Sequence, residues 1–155
     1  MAAVVVDTDV AREILLGDQD LAASLTNLRS QGNRVYFSEA TRGELHSWGS
    51  ASPADLTTAD ALLASVDGTL DIDSAISTKA GELRRLSSQS VGQPCPTCGK
   101  RIGGKLKLPD ALIAATAITE GATLVTNNGS DYQALVDQNV LTVMSGRDMV
   151  VQFKP

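Results

Sequence analysis

The sequence predicts a single α/β domain in three layers, with a short, mostly parallel β-sheet flanked by helices. Residues 2–6 form a continuous Val-rich run, which is typical of a strand buried on both faces of a parallel sheet. Downstream, short apolar runs alternate with segments of helical period, as expected for strand–helix units. A chain of 155 residues suits one domain and buries roughly 70% of its unfolded surface. We therefore assign residues 1–155 to one domain.

Five further elements are predicted between that strand and residue 87. A helix is expected over residues 21–31, because leucines recur on one face and Gly32 can end it. Residues 34–37 have the pattern of a second strand, and Ser38 can cap the next helix, which carries Glu44. The remaining two are helices, the first opened by Ser52 and Pro53 and running to Val66, the second capped by Asp73 and ending near Leu86.

The second half begins with a break in this pattern. Glycines and prolines recur between residues 87 and 107, which indicates a loop. Pro109 then suits the first turn of a helix that extends to Glu120 and is apolar on nearly every face, so we expect it to be buried. The last predicted elements are short strands at 123–126 and 140–143, a helical turn at 132–136 between them, and an edge strand at 149–153.

Charge is unevenly distributed along the chain, whose net charge is −5. Between residues 79 and 107 seven basic residues accompany one acid, Glu82, so this segment carries +6 and the remainder −11. A basic stretch beside an acidic region suits contact with a nucleic-acid backbone near a metal-dependent centre, although a solvated basic surface explains it equally well. The basic residues are Lys79, Arg84, Arg85, Lys100, Arg101, Lys105 and Lys107.

The sequence favours a cytoplasmic protein that does not span a membrane. No apolar run reaches the ~20 residues that a membrane-spanning helix needs. Met1 leads directly into a strand-like segment, which leaves no room for a signal peptide. Cys95 and Cys98 are too close together to build a disulfide framework, in agreement with a reducing compartment.

Four acids far apart in sequence lie where an apolar run ends or a helix begins: Asp7, Glu44, Asp110 and Asp131. In an open α/β sheet the carboxyl ends of neighbouring strands meet at one crevice, so such side chains can converge. Clustered carboxylates repel one another unless a cation neutralises them. Taken singly, each acid is more simply a helix cap or a surface residue; as a set, they predict a divalent-metal site.

Four segments that contain these acids resemble PIN-domain ribonucleases of the VapC toxin type, which belong to type II toxin–antitoxin systems. They occur in the order found in that family and span almost the whole chain, so together they are far more specific than any one of them. The segments are residues 4–10, 38–45, 108–117 and 123–132.

This resemblance implies a hydrolase that cleaves RNA internally, in which Asp7, Glu44 and Asp110 hold Mg²⁺ or Mn²⁺. Asp131 is the fourth acid, because Asn128 occupies an earlier slot that can hold an acid in the family. The resemblance further implies a homodimer and a cognate antitoxin that inserts a basic side chain among the carboxylates. Residues expected to orient the acids, their waters or a phosphate are Thr8, Asp9, Thr41, Thr126 and Asn128.

The loop at about 88–107 is longer than the corresponding connection in the family and contains a second distinctive motif. Cys95 and Cys98, followed by Gly99, form a knuckle that can offer two thiolates to Zn²⁺. A structural zinc site needs four ligands, so the remaining two would come from a second copy or a partner. A free dithiol loop is the alternative.

Two other functions remain open at this point. Residues 4–9 also match the strand and Asp-x-Asp of HAD-type phosphatases, in which Asp7 would be the nucleophile and Asp9 the general acid. That family requires a later acidic pair after a strand, where this chain has Asn127 and Asn128. The second alternative is a non-catalytic module that binds nucleic acid or a partner through the basic stretch and a zinc knuckle.

Overall fold

In the computed structural model, which describes residues 2–48, 52–89, 97–98 and 105–154, the strands form one parallel sheet. The central strand β1 pairs with β2 on one side and β4 on the other, so that Val5 lies between Tyr36 and Leu124. The order across the sheet is β3-β2-β1-β4-β5. The strands of the described residues are β1 (Ala3–Val6), β2 (Arg34–Ser38), β3 (Gly68–Leu70), β4 (Thr123–Val125) and β5 (Val143–Met144).

Helices cover both faces of this sheet. Among them, α5, α6 and α7 share a buried core with Val5, while α1, α2, α4 and α8 share a second core with Val4 and Val6. Alternate residues of β1 therefore point into opposite cores, as the pleat of a strand requires. The predicted three-layer α/β architecture is confirmed. The helices of the described residues are α1 (Thr8–Leu15), α2 (Gln19–Ser30), α3 (Glu39–His46), α4 (Pro53–Ala64), α5 (Ser74–Gln89), α6 (Leu108–Thr119), α7 (Gln133–Asp137) and α8 (Gly146–Phe153), with a 3-10 turn at Gly129–Tyr132.

Side-chain caps begin the helices where the sequence predicts them. Ser38 accepts a hydrogen bond from the backbone N–H of Ala40 at the start of α3. Ser52 and Asp55 form a reciprocal capping box at α4, and Asp73 accepts from the N–H of Ile76 at 2.8 Å at the start of α5. These bonds satisfy N–H groups that a helix leaves without partners, so the predicted helix starts are confirmed.

The C-terminal segment differs from the prediction, because residues 146–153 form the helix α8 rather than an edge strand at 149–153. Ser145 caps this helix by accepting from the N–H of Asp148 at 3.0 Å. Met149 is fully buried against the second core, and Asn27 of α2 donates to the carbonyl of Phe153 at 2.7 Å. Capping and packing therefore outweigh the strand propensity of the two valines that lie between Met149 and Phe153.

Other differences concern short elements. The sequence pattern did not indicate α1 or β3, and β5 lies at 143–144 instead of 140–143. Strands of two or three residues are too short to show an alternating pattern, so the sheet itself decides where they pair. Most of the predicted loop at 88–107 lies outside the described residues. None of the helices in the described ranges combines the length and the apolar character that a membrane span requires.

The packing of β1 predicts a difference between two identical substitutions. Val5→Ala removes two methyl groups from a fully buried side chain and should lower the free energy of unfolding by about 2 kcal/mol. Val151→Ala removes the same atoms from a side chain that is 79% exposed, so it should leave stability nearly unchanged. Urea unfolding followed by circular dichroism measures both, and equal losses would contradict this account of the core.

Candidate functional site

Asp7 lies between β1 and α1, and its buried carboxylate accepts three hydrogen bonds. Oδ1 accepts from the N–H of Thr8 at 2.7 Å, which caps α1. Oδ2 accepts from the hydroxyl of Thr126 at 2.8 Å and from the hydroxyl of Tyr132 at 2.9 Å. The backbone N–H of Asp7 donates to the carbonyl of Val125 at the end of β4. These contacts join the carboxyl ends of β1 and β4 around one carboxylate.

The environment of Asp7 opposes its ionisation. The pKa of Asp7 is raised to about 7, mainly by burial and also by the negative charge of Asp9, against the opposing effect of the hydrogen bonds from Thr126, Tyr132 and Thr8. Only 4% of the residue is exposed. An acid with such a pKa is only partly ionised at neutral pH, and a nearby positive charge favours its anionic form.

Glu44 reaches the same edge of the sheet from α3. The hydroxyl of Thr8 donates to its Oε1 at 2.7 Å, and the hydroxyl of Thr41 lies 3.3 Å from that of Thr8. Thr8 and Thr41 are buried, so the partly exposed Glu44 is in contact with a buried pair of hydroxyl groups. Thr8 contacts Glu44 directly and Thr41 contacts Thr8; that these hydroxyls orient the acids or their waters stays a prediction.

Asp110 interacts electrostatically with three of the other acids. It lies in the first turn of α6, where the helix dipole favours a negative charge. The pKa of Asp110 is raised to about 6, first by burial and then by the charges of Glu44, Asp131 and Asp9, while Lys107 acts in the opposite direction. The structure thus brings the four predicted acids, together with Asp9, into one region of mutual repulsion.

The end of β4 supplies backbone and amide groups to this region. Asp9 Oδ2 accepts from the N–H of Asn127 at 2.9 Å and lies 3.4 Å from the hydroxyl of Thr126. That hydroxyl in turn accepts from the N–H of Asn128 at 3.1 Å. Asn128 and Asp131 are both exposed, so their side chains face solvent at the mouth of the site.

Three residues of the site were not selected from the sequence for their position there. The sequence marks Lys107 only as part of the basic stretch, and Asn127 only as a departure from the phosphatase pattern. Tyr132 falls within the segment 123–132 and at the start of a predicted helical turn, yet its ring is fully buried and its hydroxyl donates to Asp7. Burial and the charge of Asp7 raise the pKa of Tyr132 well above its usual range, so it remains a hydrogen-bond donor.

The donor chemistry of this region fits a hard divalent cation. Carboxylate oxygens are the ligands that Mg²⁺ and Mn²⁺ prefer, and the mutual repulsion of the acids would be relieved by positive charge. Within the described ranges, however, no three His, Cys, Asp or Glu side chains are gathered closely enough to form a ready metal site. A cation would therefore have to draw the carboxylates closer together than they lie in this structure.

The zinc prediction involves residues that are only partly described. Cys98 is an exposed free thiol, whereas Cys95 lies outside the described residues. Zinc binding by this pair therefore stays a prediction.

Comparisons with known proteins agree with this geometry. The family model of the PIN domain matches residues 4–137. A chain of VapBC2 from Rickettsia felis, bound to a DNA fragment from its promoter, superposes with a TM-score of 0.64 at 23% identity, covering 92% of this chain and 98% of that one. DNA-bound VapBC from Salmonella typhimurium gives 0.68 at 19%, covering 94% and 99%.

FitAcB from Neisseria gonorrhoeae gives a TM-score of 0.63 at 20% identity, covering 93% of this chain and 98% of that one. At these identities the three structures establish the similarity of the fold alone. No curated protein shows significant sequence similarity to the chain.

The raised pKa of Asp7 predicts how stability depends on pH without metal. Its pKa in the folded protein, about 7, exceeds the value of about 4 for an unfolded aspartate. Between these values the folded protein binds more protons, so this group makes the free energy of unfolding fall as pH rises. Across that pH range the wild type should lose on the order of 3 kcal/mol in free energy of unfolding because of this group, and Asp7→Asn should abolish that loss.

Urea unfolding between those pH values, in the presence of a chelator, tests this expectation. Asp137→Asn, which alters an exposed acid on α7, is the matched control and should retain the wild-type slope. Parallel curves for Asp7→Asn and the wild type would contradict the assignment of the slope to Asp7.

Proposed function

The chain belongs to the PIN-domain family, and from that premise we propose that it is a metal-dependent endoribonuclease and the toxin of a toxin–antitoxin pair. One observation carries the proposal: the acids at the carboxyl edge of the sheet act on one another through Asp110, whose pKa is raised to about 6 by burial and by three neighbouring acids. Such a concentration of negative charge favours the binding of a cation beside a phosphodiester.

In this proposal, Asp7, Glu44 and Asp110 hold Mg²⁺ or Mn²⁺, and Asp131 completes the set. When bound, such an ion lowers the pKa of a water and neutralises charge that builds on the scissile phosphate. The chain's own residues orient the ligands: Thr8 holds Glu44, while Thr126 and Tyr132 hold Asp7. By resemblance to the family, the products carry a 5′-phosphate and a 3′-hydroxyl.

The RNA backbone is proposed to approach from the side of Lys107. The positive charge of Lys107 lowers the pKa of Asp110, and both Lys105 and Lys107 are exposed just ahead of α6. Lys79 is paired with Glu82 at 2.7 Å, and Arg84 donates to the carbonyl of Leu106 at 3.0 Å. These two residues of the basic stretch are engaged within the fold, which favours the two lysines beside the acids as phosphate contacts.

A cognate antitoxin is the proposed regulatory partner, and the proposed location is the cytoplasm. The similar structures from Rickettsia felis and Salmonella typhimurium are VapBC assemblies. In this chain a pocket of about 200 Å³ lies between α1, α3 and α4, and an apolar antitoxin segment would fit it. Homodimerisation is proposed from the resemblance alone. The apolar residues that line the pocket are Leu15, Leu16, Leu45, Trp48, Leu56 and Ala59.

The phosphatase alternative has weaker support. The chain belongs to the PIN-domain family, and the side chain of Asp9 accepts the N–H of Asn127 instead of lying free as a general acid. Hydrolysis of p-nitrophenyl phosphate would favour the phosphatase, whereas the nuclease proposal predicts no turnover.

The nuclease proposal predicts that RNA cleavage depends on buried acids and on metal. With Mg²⁺ or Mn²⁺, the wild type should cut total RNA, and a chelator should stop the reaction. Asp7→Asn and Asp110→Asn should each lower the cleavage rate by at least about a hundredfold. The loss of a metal ligand reduces activity more than the loss of a hydrogen bond that supports a ligand. Sequencing of the RNA ends measures both rate and position.

Asp137→Asn is the matched control, since it removes an exposed acid on α7 and should cleave like the wild type. Circular dichroism verifies that each variant is folded. Unchanged cleavage by Asp7→Asn and Asp110→Asn would overturn the proposed mechanism and favour the non-catalytic binding module.

A further inference from the structure

The two oxygens of the Asp7 carboxylate differ in how many of their acceptor positions are already used. A carboxylate oxygen has two lone pairs that can accept hydrogen bonds or bind a cation. Oδ2 accepts from the Thr126 hydroxyl at 2.8 Å and from the Tyr132 hydroxyl at 2.9 Å, so both of its positions are filled. Oδ1 accepts only the N–H of Thr8, at 2.7 Å. One acceptor position on Oδ1 therefore remains free.

Both donors to Oδ2 are held firmly. Tyr132 and Thr126 are each 1% exposed, so water does not compete for these bonds. The Thr126 hydroxyl accepts the N–H of Asn128 at 3.1 Å, and Asp7 Oδ2 at 2.8 Å is a shorter acceptor for its proton than Asp9 Oδ2 at 3.4 Å. The Tyr132 ring packs in the core formed with α5, α6 and α7, which fixes the direction of its hydroxyl.

From this arrangement we propose that Tyr132 is a positioning residue which, with Thr126, makes Asp7 a ligand through Oδ1 alone. This inference rests on the proposed function, in which Asp7 binds a divalent cation. Tyr132 also ends the 3-10 turn that contains Asp131, so its bond connects that turn to Asp7. The phenol thereby restricts both the orientation of one ligand and the placement of another.

A single-oxygen carboxylate affects which cation the site prefers. Mg²⁺ requires near-octahedral geometry and binds carboxylates through few contacts, whereas Ca²⁺ accepts more ligands and readily takes both oxygens of one carboxylate. Filling Oδ2 with hydrogen bonds excludes that second contact. The Tyr132 hydroxyl therefore favours Mg²⁺ over Ca²⁺ at this site.

The test compares the affinities of the full-length protein for Mg²⁺ and Ca²⁺ by isothermal titration calorimetry. Tyr132→Phe keeps the buried ring and frees one position on Oδ2, so the preference for Mg²⁺ over Ca²⁺ should fall by about tenfold. Thr126→Val frees the other position and should shift the preference in the same direction. With Mg²⁺, Tyr132→Phe should lower kcat for RNA cleavage while KM for RNA stays unchanged.

Tyr36→Phe is the matched control, because it removes the hydroxyl of the chain's other tyrosine, which contacts Arg34 on the surface. It should retain the wild-type preference. If the wild type binds Mg²⁺ and both Tyr132→Phe and Thr126→Val keep its preference, or if Tyr36→Phe shifts it equally, the role of Tyr132 is refuted and the nuclease proposal stands. If the wild type binds neither ion, both proposals are refuted.

Discussion

The buried carboxylate of Asp7 is the contact on which the arrangement of this site depends. Its hydrogen bonds join the end of β1, the end of β4, the start of α1 and the turn that contains Asp131. Placing an acid in a nearly dry environment is unfavourable unless donors surround it. Here one donor is the neighbouring residue Thr8 and the other two, Thr126 and Tyr132, come from the distant segment that follows β4, so the same bonds that stabilise the carboxylate also assemble the site.

The sheet explains why acids so distant in sequence meet there. From β1 the chain proceeds outward to β2 and β3, then crosses back to β4 and β5 on the other side. The crevice at such a reversal of strand order is where open α/β sheets place their ligands. Asp7 follows the carboxyl end of β1, and Asp131 lies in the turn after β4. Glu44 reaches the crevice from α3, and Asp110 reaches it from the first turn of α6.

Much of this organisation follows from local patterns, and the rest requires contacts between distant residues. The Val-rich run of β1 and the caps at Ser38, Ser52 and Asp73 predict their elements correctly, because burial and capping act over a few residues. The valines of α8 favour a strand, whereas its cap and its packing on α2 produce a helix. The hydroxyl of Tyr132 was missed because its partner is 125 positions away. No local pattern carries that information.

Whether these acids form a cation site can be determined with Mn²⁺ soaked into crystals of the protein. Anomalous diffraction at the manganese edge locates the ion independently of any assumption about its ligands. The account predicts a peak at the carboxyl edge of β1 and β4, within coordination distance of Asp7 and Asp110, and its loss in Asp110→Asn. A crystal that binds Mn²⁺ only elsewhere, or not at all, would contradict the account.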